Sequence, residues 1–123
     1  MSENNGNLLR VRVEPAGERT SVVALAGELD LSTMGQLEGR LLGELRTRPE
    51  LVVDLSDLDF IDSSGIGLLI QAFKAADGGR MYTVIASGSQ VDRVFTIAGI
   101  NGALPVFLSR REAIDALKNS VRG

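Results

Sequence analysis

Residues 51–76 read LVVDLSDLDFIDSSGIGLLIQAFKAA, and the fold turns on them. Leu51–Leu55 is a β-branched, apolar run with one aspartate, the make-up of a strand covered on both faces. The aspartate-rich residues 57–62 are expected as a loop. Ser63 then stands where a helix N-cap belongs, ahead of a helix expected to reach about Ala76. At about 100° per residue, Ile66, Leu69, Ile70 and Phe73 share one arc of that helix, expected to face the sheet. Leu68, Ala72, Ala75 and Ala76 fill an adjoining arc, and Gly67, Gln71 and Lys74 form a narrow polar side. The apolar surface is about twice the roughly 100° stripe that a helix on an open sheet needs. Neighbouring helices or a partner must cover the excess. Gly65 and Gly67 lie in the first turn, where each costs about 1 kcal/mol relative to alanine. They permit either tight packing of the helix on the sheet or close approach of another molecule to the serines.

Working outward, Leu9, Val11 and Val13 alternate with Arg10 and Arg12, the pattern of a half-buried strand. A turn at residues 15–18 leads to a second strand, Thr20–Ala26, so an antiparallel hairpin is expected. Gly27-Glu28-Leu29-Asp30 ends it. Ser32 or Thr33 is expected to cap the next helix, with Thr33 and Gln36 forming a capping box ahead of Met34, Leu37, Leu41 and Leu45. Downstream, Gly78-Gly79 reads as a turn and Met81–Ala86 as a strand. Ser89 and Asp92 form a capping-box signature for a helix that Gly99 stops. Leu104–Leu108 contains Pro105 and is expected as an edge strand. Ser109 and Glu112 repeat the capping signature for a last helix. The order β-β-α-β-α-β-α-β-α predicts an α/β protein: an N-terminal antiparallel hairpin, then a mostly parallel mixed sheet of about five strands with four or so helices.

The 123 residues correspond to one domain. Composition is 44% apolar and 24% charged, as in a globular protein, and with 4% aromatic residues and no tryptophan the core must be aliphatic. The chain has neither cysteine nor histidine. Disulfides, zinc thiolate or imidazole sites, and Ser-His-Asp or Cys-His catalysis are therefore excluded. A formal net charge of −3 offers no basic stripe for nucleic acid. No apolar run approaches the roughly 20 residues of a membrane span, and MSENNGN lacks a signal-peptide core. A cytoplasmic domain that binds neither nucleic acid nor membrane is expected.

Asp62-Ser63-Ser64-Gly65 followed by Ile66-Gly67 resembles the D-S-[ST]-G-[LI]-G motif of STAS domains, and more narrowly of bacterial anti-sigma factor antagonists. Gly27-Glu28-Leu29-Asp30 resembles the family's G-E-[LI]-D, and Val53-Asp54-Leu55, Phe60-Ile61, Gly78-Gly79 and the Arg93-Val94-Phe95 to Gly99-Ile100 segment add support. The likeness runs from about Leu8 to Leu117. It implies a STAS-type fold over residues 8–118, with tails at 1–7 and 119–123. It also implies a phosphorylation site at Ser63, with Ser64 as the neighbouring alternative. The implied partner-binding set is Asp30, Asp62, Ser63, Ser64, Gly65, Ile66, Gly67 and Leu68. In such a protein the unphosphorylated form binds an anti-sigma factor that is also a serine protein kinase, and so releases a sigma factor. Phosphorylation ends the binding and a serine phosphatase reverses it. No catalytic residue, cofactor or metal is implied, and a monomer or weak dimer fits. The alternative within the family is a non-switching STAS adaptor of a transport ATPase complex.

Other readings fit less well. A phosphoaspartate receiver built on Asp54 would need an acidic pair after the first strand and a late strand-end lysine, and neither is present. A calcium loop at residues 57–62 has Ile61 at its third ligand position and lacks the following glycine and the closing glutamate.

Overall fold

The computed structural model describes residues 8–76 and 80–119. The tail at 1–7, the Gly78-Gly79 turn and residues 120–123 lie outside them. Five strands form one sheet in the order β1-β2-β3-β4-β5. They are β1 (Leu9–Pro15), β2 (Thr20–Leu29), β3 (Glu50–Ile61), β4 (Met81–Val84) and β5 (Val106–Phe107). The β1–β2 pair is antiparallel and every later pair is parallel, as the element order predicts. Four helices are described: α1 (Met34–Thr47), α2 (Ser63–Ala75), α3 (Gln90–Ile97) and α4 (Arg110–Asn119). The last reaches Asn119. The short β5 that carries Val106 follows Pro105 and lies at the sheet edge, where the missing proline N–H costs no ladder bond.

The larger core lies on the sheet face that α1, α2 and α3 cover, and includes Val23, Leu25, Leu29, Leu37, Leu41, Leu69 and Phe95. α4 closes part of the opposite face by packing Ala113 and Leu117 on Val22, Val52 and Val84. Leu37 and Leu41 of α1 are fully buried, with Met34 and Leu45 packed at the margins.

A buried charge cluster ties the starts of β2, β3 and β4 together. Glu50 is inaccessible to solvent. Its carboxylate accepts from Thr20 Oγ1 at 2.9 Å and from Arg80 Nε at 2.8 Å, with Arg19 Nε at 3.5 Å. Arg80 also donates to the Leu117 carbonyl at 2.7 Å, fastening the end of α4. Asp54 is taken up in structure too: its carboxylate pairs with Arg110 at 3.0 Å, and Arg110 also reaches Glu14 at 3.0 Å.

Several local expectations are corrected: β2 runs to Leu29, past the expected Ala26, and β5 is only Val106–Phe107 of the expected Leu104–Leu108. Residues 57–61 are not a loop but the end of the 12-residue β3, paired with β2 as far as Leu29↔Ile61. Register shifts between Ala24 and Ala26 and between Gly27 and Glu28 accommodate the run. Because of them, Leu55, Leu58 and Ile61 reach the core at every third residue. β4 ends at Val84, two residues before the expected Ala86. On α2, Leu68, Ala72 and Ala76 of the second apolar arc are buried like Leu69 of the first, while Ala75 is exposed. Ile70 and Phe73 are only half-buried. α1 packs against α2, so a neighbouring helix covers part of the apolar excess.

Candidate functional site

Two strand ends meet at one corner of the sheet. Leu29 of β2 is in register with Ile61 of β3, and the Asp62 N–H donates to the Leu29 carbonyl at 3.3 Å. Asp30 and Asp62 are thereby brought side by side from segments more than thirty residues apart. The C-terminal ends of parallel strands are where α/β sheets present their sites.

Each aspartate organises its own turn. Asp62, not Ser63, is the N-cap of α2: it is extended (φ −117°, ψ −174°), and its Oδ1 accepts from the Gly65 N–H at 3.1 Å. Ser63 is the first helical residue. The expected cap is displaced by one position because aspartate caps as well as serine and here has the extended backbone. Asp30 Oδ1 accepts from Ser32 N at 3.0 Å, Ser32 Oγ at 2.7 Å and Thr33 N at 3.2 Å. These contacts, the Ser32 hydroxyl first, hold the Asp30 carboxyl below its ordinary value of 3.8. Thr33 does not form the expected capping box with Gln36. Its side chain makes no cap bond and turns back, with Oγ1 donating to the Glu28 carbonyl at 2.8 Å and accepting from Asp30 N at 3.0 Å.

The two serines differ. Ser63 is exposed and Ser64 is half-buried. Among the described residues neither hydroxyl has a hydrogen-bond partner. The two glycines differ as well. Gly65 is buried, and a Cβ there would lie 2.8 Å from both Ile61 Cγ1 and Leu29 Cγ and 3.0 Å from the Leu29 carbonyl oxygen. It allows the start of α2 to sit directly on the paired ends of β2 and β3. Gly67 is exposed, and a Cβ there would meet nothing within 4 Å. In the Gly-Glu-Leu-Asp segment, Gly27 has φ +100°, and an added Cβ would collide with the Leu8 carbonyl oxygen.

Of the expected set, Asp30, Asp62, Ser63, Ser64 and Gly67 reach the surface of this corner, whereas Gly65, Ile66 and Leu68 lie beneath it. Two exposed apolar side chains flank it that the sequence reading did not single out: Leu31, 73% exposed, and Phe60, 38% exposed. Gln90 was also missed. From the first turn of α3 it accepts from the Ile61 N–H at 2.9 Å and donates to the Ile61 carbonyl at 3.1 Å. A lone glutamine gives no sequence signal for such a contact. Among the described residues no group of three or more acidic side chains is placed to hold a metal ion. No helix of the described residues is long and apolar enough to cross a membrane.

Comparison with known proteins identifies the family of the chain. The family model described as Mlab, STAS domain matches residues 13–109, and the chain belongs to the STAS domain family. It is similar to the anti-sigma F factor antagonist of Lysinibacillus sphaericus, 26% identical over 118 residues that cover 94% of this chain and all of that one. Among solved structures, an anti-sigma factor antagonist from Mycobacterium paratuberculosis superposes with a TM-score of 0.83 at 23% identity, covering 92% of this chain and 97% of the other. The anti-sigma factor antagonist SpoIIAA, solved in its unphosphorylated form, gives a TM-score of 0.74 at 25% identity over 92% of this chain and 100% of its own.

Proposed function

We propose that this protein is an anti-sigma factor antagonist working by partner switching in the cytoplasm. Unphosphorylated, it binds an anti-sigma factor that is also a serine protein kinase, and a sigma factor is released. Phosphorylation at Ser63 ends the binding, and a serine phosphatase restores it. One observation carries this reading: an exposed, unpartnered Ser63 opens α2 beside Asp30, in a chain whose relatives bear the antagonist name. The binding surface comprises Asp30, Asp62, Ser63, Ser64 and Gly67, with Gly65, Ile66 and Leu68 supporting it from below. The protein acts as a monomer or weak dimer and contacts neither DNA nor membrane.

The chain brings an acceptor and no catalyst. It has no histidine or cysteine, and its two lysines, Lys74 and Lys118, lie in the last turns of α2 and α4. In the transfer, Ser63 Oγ bonds the γ-phosphorus of ATP as the bond to ADP breaks, and the hydroxyl proton passes to a base of the kinase. The product adds about −1.5 to −2 charge at the corner. Buried against a partner and unpaired, that charge costs several kcal/mol, at tenfold in affinity for about every 1.4 kcal/mol.

The test starts with intact mass and phosphopeptide mapping of the protein from its native cells in growth and under stress. One phosphoryl group on Ser63, its occupancy falling with stress, is the expected result. Ser63→Ala should then capture the anti-sigma factor permanently, and Ser63→Glu should bind it weakly. Equal affinity of the kinase for wild type and Ser63→Glu refutes the switch. The second reading, a non-switching STAS adaptor of a transport ATPase complex, is equally compatible with membership of the STAS domain family. Absence of phosphate under every condition would support it.

A further inference from the structure

We propose that Gln90 is the positioning residue of the serine corner, standing in for a strand that the sheet does not supply. β3 is 12 residues long and β4 only four. Their register ends at Asp54↔Val84, while on its other side β3 stays paired with β2 as far as Ile61. On the β4 side the final stretch of β3 has no neighbouring strand among the described residues. Gln90 offers Ile61 what a strand residue would offer: a carbonyl acceptor for its N–H at 2.9 Å and an N–H donor for its carbonyl at 3.1 Å. The next residue is Asp62, the cap of α2, and the one after that is Ser63.

The base from which Gln90 reaches is firmly set. Ser89 caps α3 by accepting from the Asp92 N–H at 3.1 Å, and its hydroxyl donates to the Ala86 carbonyl at 2.6 Å. The Asp92 carboxylate accepts from the Gly88 N–H at 2.8 Å. Val91 and Phe95 of the same helix are fully buried in the main core. A rigid path therefore runs from the core through α3 and the Gln90 carboxamide to Ile61, the Asp62 cap and the first turn of α2. Without the amide, the end of β3 would keep backbone hydrogen bonds on its β2 side alone. The role assigned to Ser63 rests on the function proposed above, but the positioning itself is a property of the isolated chain.

Gln90→Met keeps length and apolar bulk and removes both polar atoms. Amide hydrogen exchange and 1H–15N spectra of the full chain read the effect. Exchange at Ile61 should quicken by about tenfold, the loss of roughly one buried hydrogen bond. The Asp62–Gly65 amides should shift and exchange faster with it, while Val53 in mid-strand keeps wild-type protection. Gln90→Glu retains the acceptor for the Ile61 N–H and loses the donor, so it should disturb the corner less at the Ile61 amide than Gln90→Met. Uniform acceleration across the core would reduce Gln90 to a packing residue and overturn the proposal. So would a change confined to Ile61 with Ser63–Gly65 unmoved. These readouts need no partner and no phosphate, so failure of the antagonist reading would leave them as they are.

Discussion

Gly65 and Gly67 lie two residues apart in one helical turn, yet replacing each by alanine should move stability in opposite directions. At position 65 the new methyl would sit 2.8 Å from Leu29 Cγ and from Ile61 Cγ1. Both side chains are held in the core, 0% and 1% exposed, and Ile61 is further fixed by Gln90. Neither can yield by the several tenths of an ångström required without displacing β2 from β3. Overpacking of this kind costs about 1–3 kcal/mol. The better helix propensity of alanine returns about 1 kcal/mol, leaving a net loss of up to roughly 2 kcal/mol. At position 67 the methyl meets no atom within 4 Å beyond its own stretch of helix, so the propensity gain of up to about 1 kcal/mol stands alone. For a domain of this size 1 kcal/mol corresponds to roughly 3–6 °C in Tm. Gly65→Ala should melt clearly below wild type and Gly67→Ala a few degrees above it, with urea midpoints following the same order. Equal signs for the two variants would refute the packing reasoning. A third observation bears on function: Gly67→Ala, though more stable, should bind the anti-sigma factor less well if the partner's backbone approaches there.

Other outcomes follow from the same structure. Glu50→Ala strips a buried carboxylate from Arg80 and Thr20 and should cost about 3–5 kcal/mol in urea unfolding. The double substitution Glu50→Leu/Arg80→Met should recover much of that loss. Asp30 has a depressed pKa in the folded protein, so its contribution is complete above the unfolded carboxyl value and disappears as pH falls through the folded one. The stability gap between wild type and Asp30→Ala, measured by denaturant titration, should be constant near neutrality and close below about pH 3.8. A gap that widened on acidification would contradict the hydrogen bonding assigned to this turn.

Most of the architecture was legible because apolar periodicity and turn chemistry agree along the chain. The hairpin, the parallel order after it, the stripe of α1 and the caps at Ser89 and Ser109 can all be read from side-chain pattern. The end of β3 could not. Aspartate is disfavoured in strands, and the register shifts opposite Ala24–Glu28 replace alternation with a three-residue spacing of Leu55, Leu58 and Ile61, so a period of two finds nothing there. At the site, the Asp-Ser-Ser-Gly segment announces a helix start, but whether aspartate or serine caps it depends on backbone angles set by the pairing of Leu29 with Ile61. The purpose of Gly65 was equally open in the sequence. Its neighbours Leu29 and Ile61 come from different strands, and only the assembled sheet shows that the two glycines answer different needs.

The position of Ser63 also determines what a phosphate could do to the fold. It is the first residue of α2, where the backbone N–H groups of the initial turn have no intrahelical acceptor. Of these, the Gly65 N–H is already used by Asp62, which leaves those of Ser63 and Ser64 facing the end of the helix. A dianion there gains about 0.3–1 kcal/mol from the helix dipole. The carboxylates of Asp62 and Asp30 oppose it through partly solvated surroundings, where repulsion between exposed charges is of similar size. The two effects nearly cancel, so Ser63→Glu and the phosphorylated protein should melt within about 3 °C of wild type with an unchanged circular dichroism spectrum. At an interface that water has left, the same charge has no such compensation. A modification that is almost neutral for folding can therefore still be decisive for association. A cooperative loss of structure on phosphorylation would overturn this account, because the switch would then work by unfolding the corner instead of by changing the surface it presents.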